Sequence, residues 1–178
     1  MIYAPYDSDG YAILLKCIAP EAIQQMRSTV SVQDLRQRKP DLMGNTQLLA
    51  LLNIHVRPLF QIANIAVGRL IELSALIATN GKSVKLGWHK DRPAAGGQYA
   101  FQLQLLDGDC FHELVPGSHD RELNDAEIMA RNAGGDEMPG AISIQLDCGD
   151  ILLRSPQILH RGYNPQGVAR LTLVGTYT

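Results

Sequence analysis

From about residue 69 to its end, the chain reads as a succession of short strand-like runs separated by turns rich in Gly, Pro and Asn. Runs of this length that alternate apolar with polar or small residues are typical of strands in antiparallel sheets. About eight such strands, preceded by helices, fit a mainly β fold with N-terminal helices: the double-stranded β-helix, a jelly-roll or cupin-like barrel. The predicted strands are 11–17, 69–79, 83–89, 98–106, 112–115, 141–146, 150–154 and 170–177.

The first part of the chain is predicted to be mainly helical. Pro20 suits the first turn of a helix, and Glu21 beside it suits the helix dipole. A second helix is predicted over 47–54, where leucines dominate. Pro58 then either ends that helix or opens the next one.

Length and charge bound the possible classes. The 178 residues suffice for one domain with a substantial core. We expect residues 1–178 to form a single domain, in which 1–68 are mainly helical support for a barrel over 69–178. The formal net charge of −2 predicts no nucleic-acid partner, and no apolar stretch is long enough to predict a membrane span. The oligomeric state is left open.

Cysteine usage and the N-terminal residues predict a cytoplasmic protein. Cys17, Cys110 and Cys148 are an odd number of thiols without Cys-x-x-Cys spacing, which favours reduced cysteines over a disulfide framework. The first ten residues lack the basic start and apolar centre of a secretion signal.

Three residues form a candidate metal-ligand set: His89 and Asp91 in Trp88-His89-Lys90-Asp91, and the distant His160. Two imidazoles and one carboxylate can hold a non-haem Fe(II) on one face and leave the opposite positions open for oxygen and a co-substrate. A His-x-Asp triplet alone is more often a surface turn. Its occurrence in order with His160 and then Arg170 favours the metal site.

The strand over 83–89 positions the first ligand. A two-residue repeat places Trp88 on one face together with Val84 and Leu86, and His89 on the other face with Lys85. His89 then ends the strand and Asp91 follows in a loop, so both side chains can converge on one point. Asn80-Gly81 before this strand is a strong hairpin signal, to be paired with the strand over 69–79.

Arg170 is the candidate for binding the far carboxylate of 2-oxoglutarate, whose keto-acid end would chelate the iron. It comes ten residues after His160 and opens a predicted strand. Thr172 lies on the same strand face, so its hydroxyl could share that carboxylate, or it is a packed β-branched residue. Lys85 is the next candidate for the carboxylate.

The strand over 98–106 allows two orientations. If it lies under the helices, Phe101 and Leu103 face them and Gln102 and Gln104 face the cavity. The opposite orientation would turn the apolar pair inward.

The remaining histidines are expected to lie outside the chemistry. His119 is expected to hydrogen-bond the backbone of its turn, and His55 and His112 are predicted to be non-catalytic. The segment 120–140 begins with a helical pattern and is a candidate lid.

Several segments resemble the phytanoyl-CoA dioxygenase-like branch of the Fe(II)/2-oxoglutarate-dependent dioxygenase superfamily. The resemblance rests on Asp9-Gly10-Tyr11, Trp88-His89-Lys90-Asp91, Pro116-Gly117-Ser118-His119, Gly149-Asp150, and His160 with Arg170. It implies that His89, Asp91 and His160 bind Fe(II), and that Arg170 binds 2-oxoglutarate as co-substrate.

The implied activity is oxidation of an unactivated C–H bond, most simply hydroxylation of a small or medium-sized metabolite, with O2 consumed and 2-oxoglutarate converted to succinate and CO2. Desaturation and cyclisation are left open, as is the identity of the substrate. The run His160-Arg-Gly-Tyr-Asn164 is also similar to the aspartyl/asparaginyl β-hydroxylase branch. A cupin-like metal-binding or isomerase module without oxygenase activity is the alternative from another class.

Overall fold

The computed structural model describes residues 2–3, 6–30, 40–78, 84–91, 97–106, 111–134, 137–164 and 170–178. Its strands are β1 (Ile2–Tyr3), β2 (Tyr11–Leu14), β3 (Leu70–Ala78), β4 (Val84–Lys85), β5 (Tyr99–Gln104), β6 (Phe111–Leu114), β7 (Ile142–Gln145), β8 (Ile151–Arg154), β9 (His160–Asn164) and β10 (Arg170–Tyr177). Its helices are α1 (Tyr6–Asp9), α2 (Pro20–Thr29), α3 (Thr46–His55), α4 (Arg57–Ile62) and α5 (Asp125–Asn132), and a 3-10 turn lies at Ser118–Asp120.

The described strands form two antiparallel sheets. The six-stranded sheet has the order β1-β2-β8-β5-β10-β3, and the four-stranded sheet has the order β4-β9-β6-β7. From β3 onward the chain passes back and forth between them, since β3, β5, β8 and β10 belong to the first sheet and β4, β6, β7 and β9 to the second. This alternation is that of a double-stranded β-helix, so the predicted jelly-roll fold is confirmed.

Helices α2, α3 and α4 cover the outer face of the six-stranded sheet. Pro20 opens α2 as predicted. Asn45 caps α3, because its side-chain oxygen accepts a hydrogen bond from the Leu48 amide at 3.0 Å while its amide group donates to the Thr29 carbonyl at 2.9 Å. Pro58 lies in the first turn of α4, so it opens the next helix. In the described part of the chain, no helix is long and apolar enough to cross a membrane.

The larger core lies between these helices and the six-stranded sheet, and it determines which face of β5 is inward. Phe101 and Leu103 are completely buried in that core beside residues of α2, α3 and α4. Gln102 and Gln104 therefore point to the other face, toward the four-stranded sheet. Of the two orientations open for this strand, the one with the glutamines facing the cavity is the one observed.

A smaller core joins the two sheets. Leu152 of the six-stranded sheet packs in one buried cluster with Leu114 and Ile144 of the four-stranded sheet. Since both sheets contribute to this cluster, their inner faces lie against each other there. The inner walls carry the polar residues from which the candidate site is built.

Two expectations about the strands are wrong. The strands on either side of Asn80-Gly81 do not form a hairpin, because β3 pairs with β10 and β4 pairs with β9 in the other sheet; the turn itself lies outside the described residues. The sequence also gives no strand over His160–Asn164, yet β9 pairs with both β4 and β6. Its polar and glycine-containing sequence lacks the apolar alternation by which strands are recognised.

The segment proposed as a lid contains α5, and its start is held by side chains. Asn124 and Glu127 form a reciprocal capping box. Arg121 donates to both carboxylate oxygens of the buried Glu127 at 2.8 and 2.6 Å. Residues 135–136 lie outside the described residues. Closure of this segment over a substrate stays a prediction.

We expect Asn45→Ala to lower the free energy of unfolding by about 2 kcal/mol, because it removes both a helix cap and the tie from α3 to α2. Asn45→Asp retains an oxygen for the Leu48 amide and loses only the donor to Thr29, so it should lose about half as much. Urea unfolding of the three proteins measures the differences. Equal losses in both variants would show that the cap contributes nothing.

Candidate metal centre

Backbone pairing brings the two histidines together. His89 and His160 lie opposite each other, with the His89 amide donating to the His160 carbonyl at 3.0 Å and the reverse bond at 2.9 Å. Their rings are 4.4 Å apart between centroids. Asp91 follows His89 after one residue, and its amide donates to the Pro156 carbonyl at 2.9 Å, so it lies beside the same end of β9.

A β-bulge decides which way His89 points. Lys85 pairs with Tyr163 and the Leu86 amide bonds to the Gly162 carbonyl, but the next pair is His89 with His160. The strand thus has two residues, 87 and 88, opposite the single residue 161. A bulge of this kind re-aims the side chains that follow it.

The predicted alternation of faces over 83–89 is therefore wrong for Leu86, whereas Trp88 and His89 lie on opposite faces as predicted. Leu86 lies on the inner face, since a Cβ on Gly162 would meet its Cδ1 at 3.5 Å. Trp88 lies on the outer face, where the Arg161 guanidinium is 4.7 Å from its ring centroid. The extra residue places His89 on the inner face with Leu86, which a strict two-residue repeat would not allow.

The three predicted ligands converge. One ligand atom from each of His89, Asp91 and His160 lies within 4.8 Å of the others. Asp91 Oδ1 is 3.8 Å from His89 Nε2 and 3.7 Å from His160 Nε2. This nitrogen, nitrogen and oxygen set could hold a metal ion, and its members come from two neighbouring chain segments of one sheet.

Both histidines are oriented by the backbone two residues before them. His89 Nδ1 is 2.7 Å from the Gly87 carbonyl oxygen, and His160 Nδ1 is 2.9 Å from the Ile158 carbonyl oxygen. A carbonyl can only accept, so each Nδ1 carries the hydrogen and donates it. Each Nε2 is then left with a lone pair aimed at the centre, which is the tautomer that a metal requires.

Arg154 is part of the centre, although the sequence reasoning did not identify it. Its Nη1 donates to Asp91 Oδ2 at 2.7 Å across 63 residues of sequence, and its side chain is 4% exposed. The signal that could have found it is an arginine at the end of the apolar run Ile151–Leu153, since a buried strand has no place for an unpaired charge.

The charges at this centre hold the ligands in the protonation states that bind metals. Burial raises the pKa of Asp91, but the charges of Arg154 and then His160 outweigh it and leave the pKa below its usual value. Burial, followed by the Arg154 guanidinium, lowers the pKa of His160 well below its usual value. The carboxylate is therefore ionised and the His160 imidazole neutral around neutral pH.

Arg170 lies deeper between the sheets than the histidines. It is buried, and its Nη2 would be 3.9 Å from a Cβ placed on Gly162. Gly162 is two residues along β9 from His160, a step of roughly 7 Å. The glycine therefore leaves room beside the guanidinium that a larger side chain would occupy.

Thr172 shares the inner face with Arg170, as predicted, and lies opposite Gln104. Its hydroxyl donates to Gln104 Oε1 at 2.6 Å, while Gln104 Nε2 donates to the Leu106 carbonyl at 2.5 Å. The hydroxyl hydrogen is thus already engaged. Binding of a carboxylate by Thr172 stays a prediction that would require this bond to be exchanged.

His112, the first residue of the predicted strand over 112–115, lies in β6 on the inner wall. It pairs with Gly162 on one side and Ile144 on the other, and it is buried. Burial, then the charges of Arg170 and Arg154, lowers its pKa to about 3. The interior around this neutral imidazole is therefore electropositive.

Among the described residues, the cluster of candidate metal ligands includes none of the other histidines. His119 packs against Gly10 and its Nε2 is 3.2 Å from Asp120 Oδ2, while its buried Nδ1 has no hydrogen-bond partner among the described residues. The expected backbone hydrogen bond is therefore not observed. His55 ends α3. The side chain of Lys85 lies outside the described residues.

The fold is similar to those of several solved non-haem enzymes. The epimerase SnoN, solved with Fe3+, α-ketoglutarate and nogalamycin RO, matches with a TM-score of 0.76 and 19% identity over 98% of this chain and 80% of that one. The carbocyclase SnoK, also α-ketoglutarate dependent, matches with a TM-score of 0.71 and 13% identity over 97% and 81%. HygX from Streptomyces hygroscopicus, solved with nickel and 2-oxoglutarate, matches with a TM-score of 0.70 and 19% identity over 97% and 83%.

No family model matches the chain, and no curated protein matches it. At such identities the structural likeness establishes the fold. What the chain does has to be argued from its own residues.

We expect the stability of the metal-free protein to fall on acidification partly through His112. The unfolded chain binds a proton at this residue below about pH 6.5, whereas the folded protein does so only near pH 3. The contribution is complete above pH 6.5 and is lost as the pH falls, by up to about 1.4 kcal/mol per pH unit.

Urea unfolding at pH 7 and pH 5 of the wild type and of His112→Gln measures this effect. The variant should lose less stability between the two pH values than the wild type does. An equal loss in both proteins would contradict a buried neutral imidazole at this position.

Proposed function

We propose that the protein is a non-haem Fe(II)/2-oxoglutarate-dependent oxygenase of the phytanoyl-CoA dioxygenase-like kind, with residues 1–178 as its catalytic domain. The observation that carries the proposal is the convergence of His89, Asp91 and His160 one strand step from the buried Arg170. A metal with open positions and a cation at this separation suit a short dicarboxylate bound at both of its ends.

The donor set fits Fe(II). Two imidazole nitrogens and one carboxylate oxygen on one side of an ion leave three positions open, as in non-haem iron oxygenases. Both Nε2 atoms carry lone pairs, because each Nδ1 donates to a carbonyl. The Fe3+ and nickel bound in structures of similar fold support this assignment.

The inner wall fits 2-oxoglutarate. Arg170 supplies a guanidinium for the distal carboxylate, and Gly162 leaves the space that the carbon chain needs. His112 is kept neutral mainly by its burial, so it adds no positive charge of its own, and the guanidinium charges of Arg170 and Arg154 near it suit a dianion.

Together, bound Fe(II) and 2-oxoglutarate supply the oxidation of a C–H bond by O2. In a hydroxylation, one oxygen atom of O2 enters the product and the other enters succinate, while CO2 is released. The protein residues hold the reactants in place: His89, Asp91 and His160 fix the metal, and Arg170 orients the co-substrate. The buried His160 and Arg170 limit the access of water on the inner side of the site.

Hydroxylation is the simplest outcome of such a site, and desaturation and cyclisation are its variants. The enzymes of similar fold include an epimerase and a carbocyclase, so one architecture supports several reactions. Asp91 favours an outcome without halogen transfer, because its carboxylate occupies the position that a halide would need at the metal.

The proposed substrate is a small or medium-sized metabolite that reaches the metal from one side. The side chains of His89 and Asp91 are 42% and 37% exposed, whereas that of His160 is 8% exposed.

We place the protein in the cytoplasm, where its cysteines would stay reduced. Cys17 and Cys148 are free thiols, and burial raises the pKa of Cys17 to about 11.

Anaerobic addition of Fe(II) and then 2-oxoglutarate should produce a weak visible charge-transfer band, because the keto acid chelates the metal. His160→Ala should abolish the band by removing a ligand. Lack of a band in a folded wild-type protein would refute the proposal. Tight metal binding without succinate formation across a broad panel of metabolites would favour a cupin-like module that lacks oxygenase activity.

Arg170→Ala should weaken 2-oxoglutarate binding by about 1.5–3 kcal/mol, roughly 10- to 150-fold, because a desolvated charge pair is lost. Metal affinity should stay unchanged. Calorimetric titrations of the Co(II)-loaded protein with 2-oxoglutarate measure the effect, and Arg161→Ala, which removes a buried guanidinium on the outer face of the four-stranded sheet, is the matched control. Unchanged 2-oxoglutarate affinity in Arg170→Ala would show that the carboxylate is bound elsewhere.

A further inference from the structure

We propose that Arg154 is a positioning residue that fixes Asp91 as a single-oxygen ligand and so keeps the remaining metal positions open. The inference rests on the metal centre proposed above and concerns how its carboxylate is held. Arg154 acts through Asp91, and it is not assigned a contact with substrate.

The two oxygens of Asp91 have different partners. Oδ2 accepts the hydrogen bond from Arg154 Nη1 at 2.7 Å. Oδ1 faces the two histidines, at 3.8 Å from His89 Nε2 and 3.7 Å from His160 Nε2. One oxygen is thus held by the guanidinium and the other is presented to the metal centre.

The group that holds Asp91 is itself rigid. Arg154 ends β8, which is paired on both sides, with Tyr11 opposite it on β2 and Ala100 opposite it on β5. The backbone of Asp91 is held from the same side of the molecule, because its amide donates to the Pro156 carbonyl at 2.9 Å. Asp91 belongs to the segment after β4, so this contact also ties the four-stranded sheet to the six-stranded one.

The burial of Arg154 argues for a role in geometry. Its side chain is 4% exposed, and its Nε has no hydrogen-bond partner in the described part of the chain. An ion pair with a buried cation contributes little net stability, because desolvation of the cation offsets its attraction to the carboxylate. What such a pair does supply is a fixed orientation of the carboxylate.

Without the guanidinium, Asp91 would be free to rotate. Its side chain is 37% exposed, so water can solvate the released oxygen. The carboxylate could then offer both oxygens to a metal and close a position that the co-substrate needs, or turn away from the metal. The same exposure means that loss of Arg154 leaves no buried, unpaired carboxylate, so variants at this position should fold.

The test compares Arg154→Met, Arg154→Gln and Arg154→Lys with the wild type. Met fills an irregular buried space without charge, and Gln keeps polarity without charge. Arg161→Met is the matched control, because Arg161 is also buried and paired with a carboxylate, that of Glu113, on the outer face of the four-stranded sheet. Thermal unfolding without metal is recorded for every protein.

Co(II) alone is the first probe. Calorimetry measures its affinity, and visible absorption reports its coordination number through the intensity of the bands. We expect Arg154→Met and Arg154→Gln to lose roughly 10- to 100-fold in Co(II) affinity and to change the absorption of bound Co(II). Arg154→Lys should recover part of the affinity. Arg161→Met should lose stability while keeping the wild-type Co(II) affinity and absorption.

The outcomes separate this inference from the proposed function. A wild-type protein that binds no Co(II) would overturn both. Wild-type Co(II) affinity and absorption in either folded uncharged variant would overturn the role of Arg154 alone. Unchanged Co(II) binding together with weakened 2-oxoglutarate binding to the Co(II) form would also overturn the positioning role. It would show that Arg154 binds the co-substrate.

Discussion

The candidate site depends on the pairing of His89 with His160. Two backbone hydrogen bonds hold these residues opposite each other, and β9 lies between two other strands of its sheet. The imidazoles therefore meet because of strand register, and not through flexible side chains finding one another. Asp91 needs only one intervening residue to join them, and the contact with Arg154 then sets its orientation.

Electrostatics make this arrangement specific for its ligands. The centre combines an ionised carboxylate, the His160 imidazole that burial keeps neutral, and the imidazole of His89, which together form the donor set of a divalent metal. Further inside, the charges of Arg170 and Arg154 near the neutral His112 make the wall electropositive. A cation is favoured at the mouth and an anion behind it, so the two cofactors proposed here would each occupy the part of the interior that suits their charge.

Much of the fold and of the ligand set could be predicted, because alternating strands and a His-x-Asp motif are local features. The sharing of one face by His89 and Leu86 could not be predicted, since the extra residue at 87–88 becomes visible only through its partner strand β9. Arg154 was missed for a related reason, as its contact with Asp91 spans 63 residues. The burial of His112 likewise depends on residues across two strands, which no local pattern encodes.

Strand β2, near the N-terminus, makes the site sensitive to truncation. Its Tyr11 lies opposite Arg154, so β2 covers the edge of the strand on which Arg154 is carried. A chain shortened to begin after Leu14 would retain every proposed metal ligand and Arg170. It would nevertheless expose the backbone of β8 as an open sheet edge, which invites pairing between molecules. Expression boundaries and N-terminal fusions for this protein should therefore preserve the first fourteen residues.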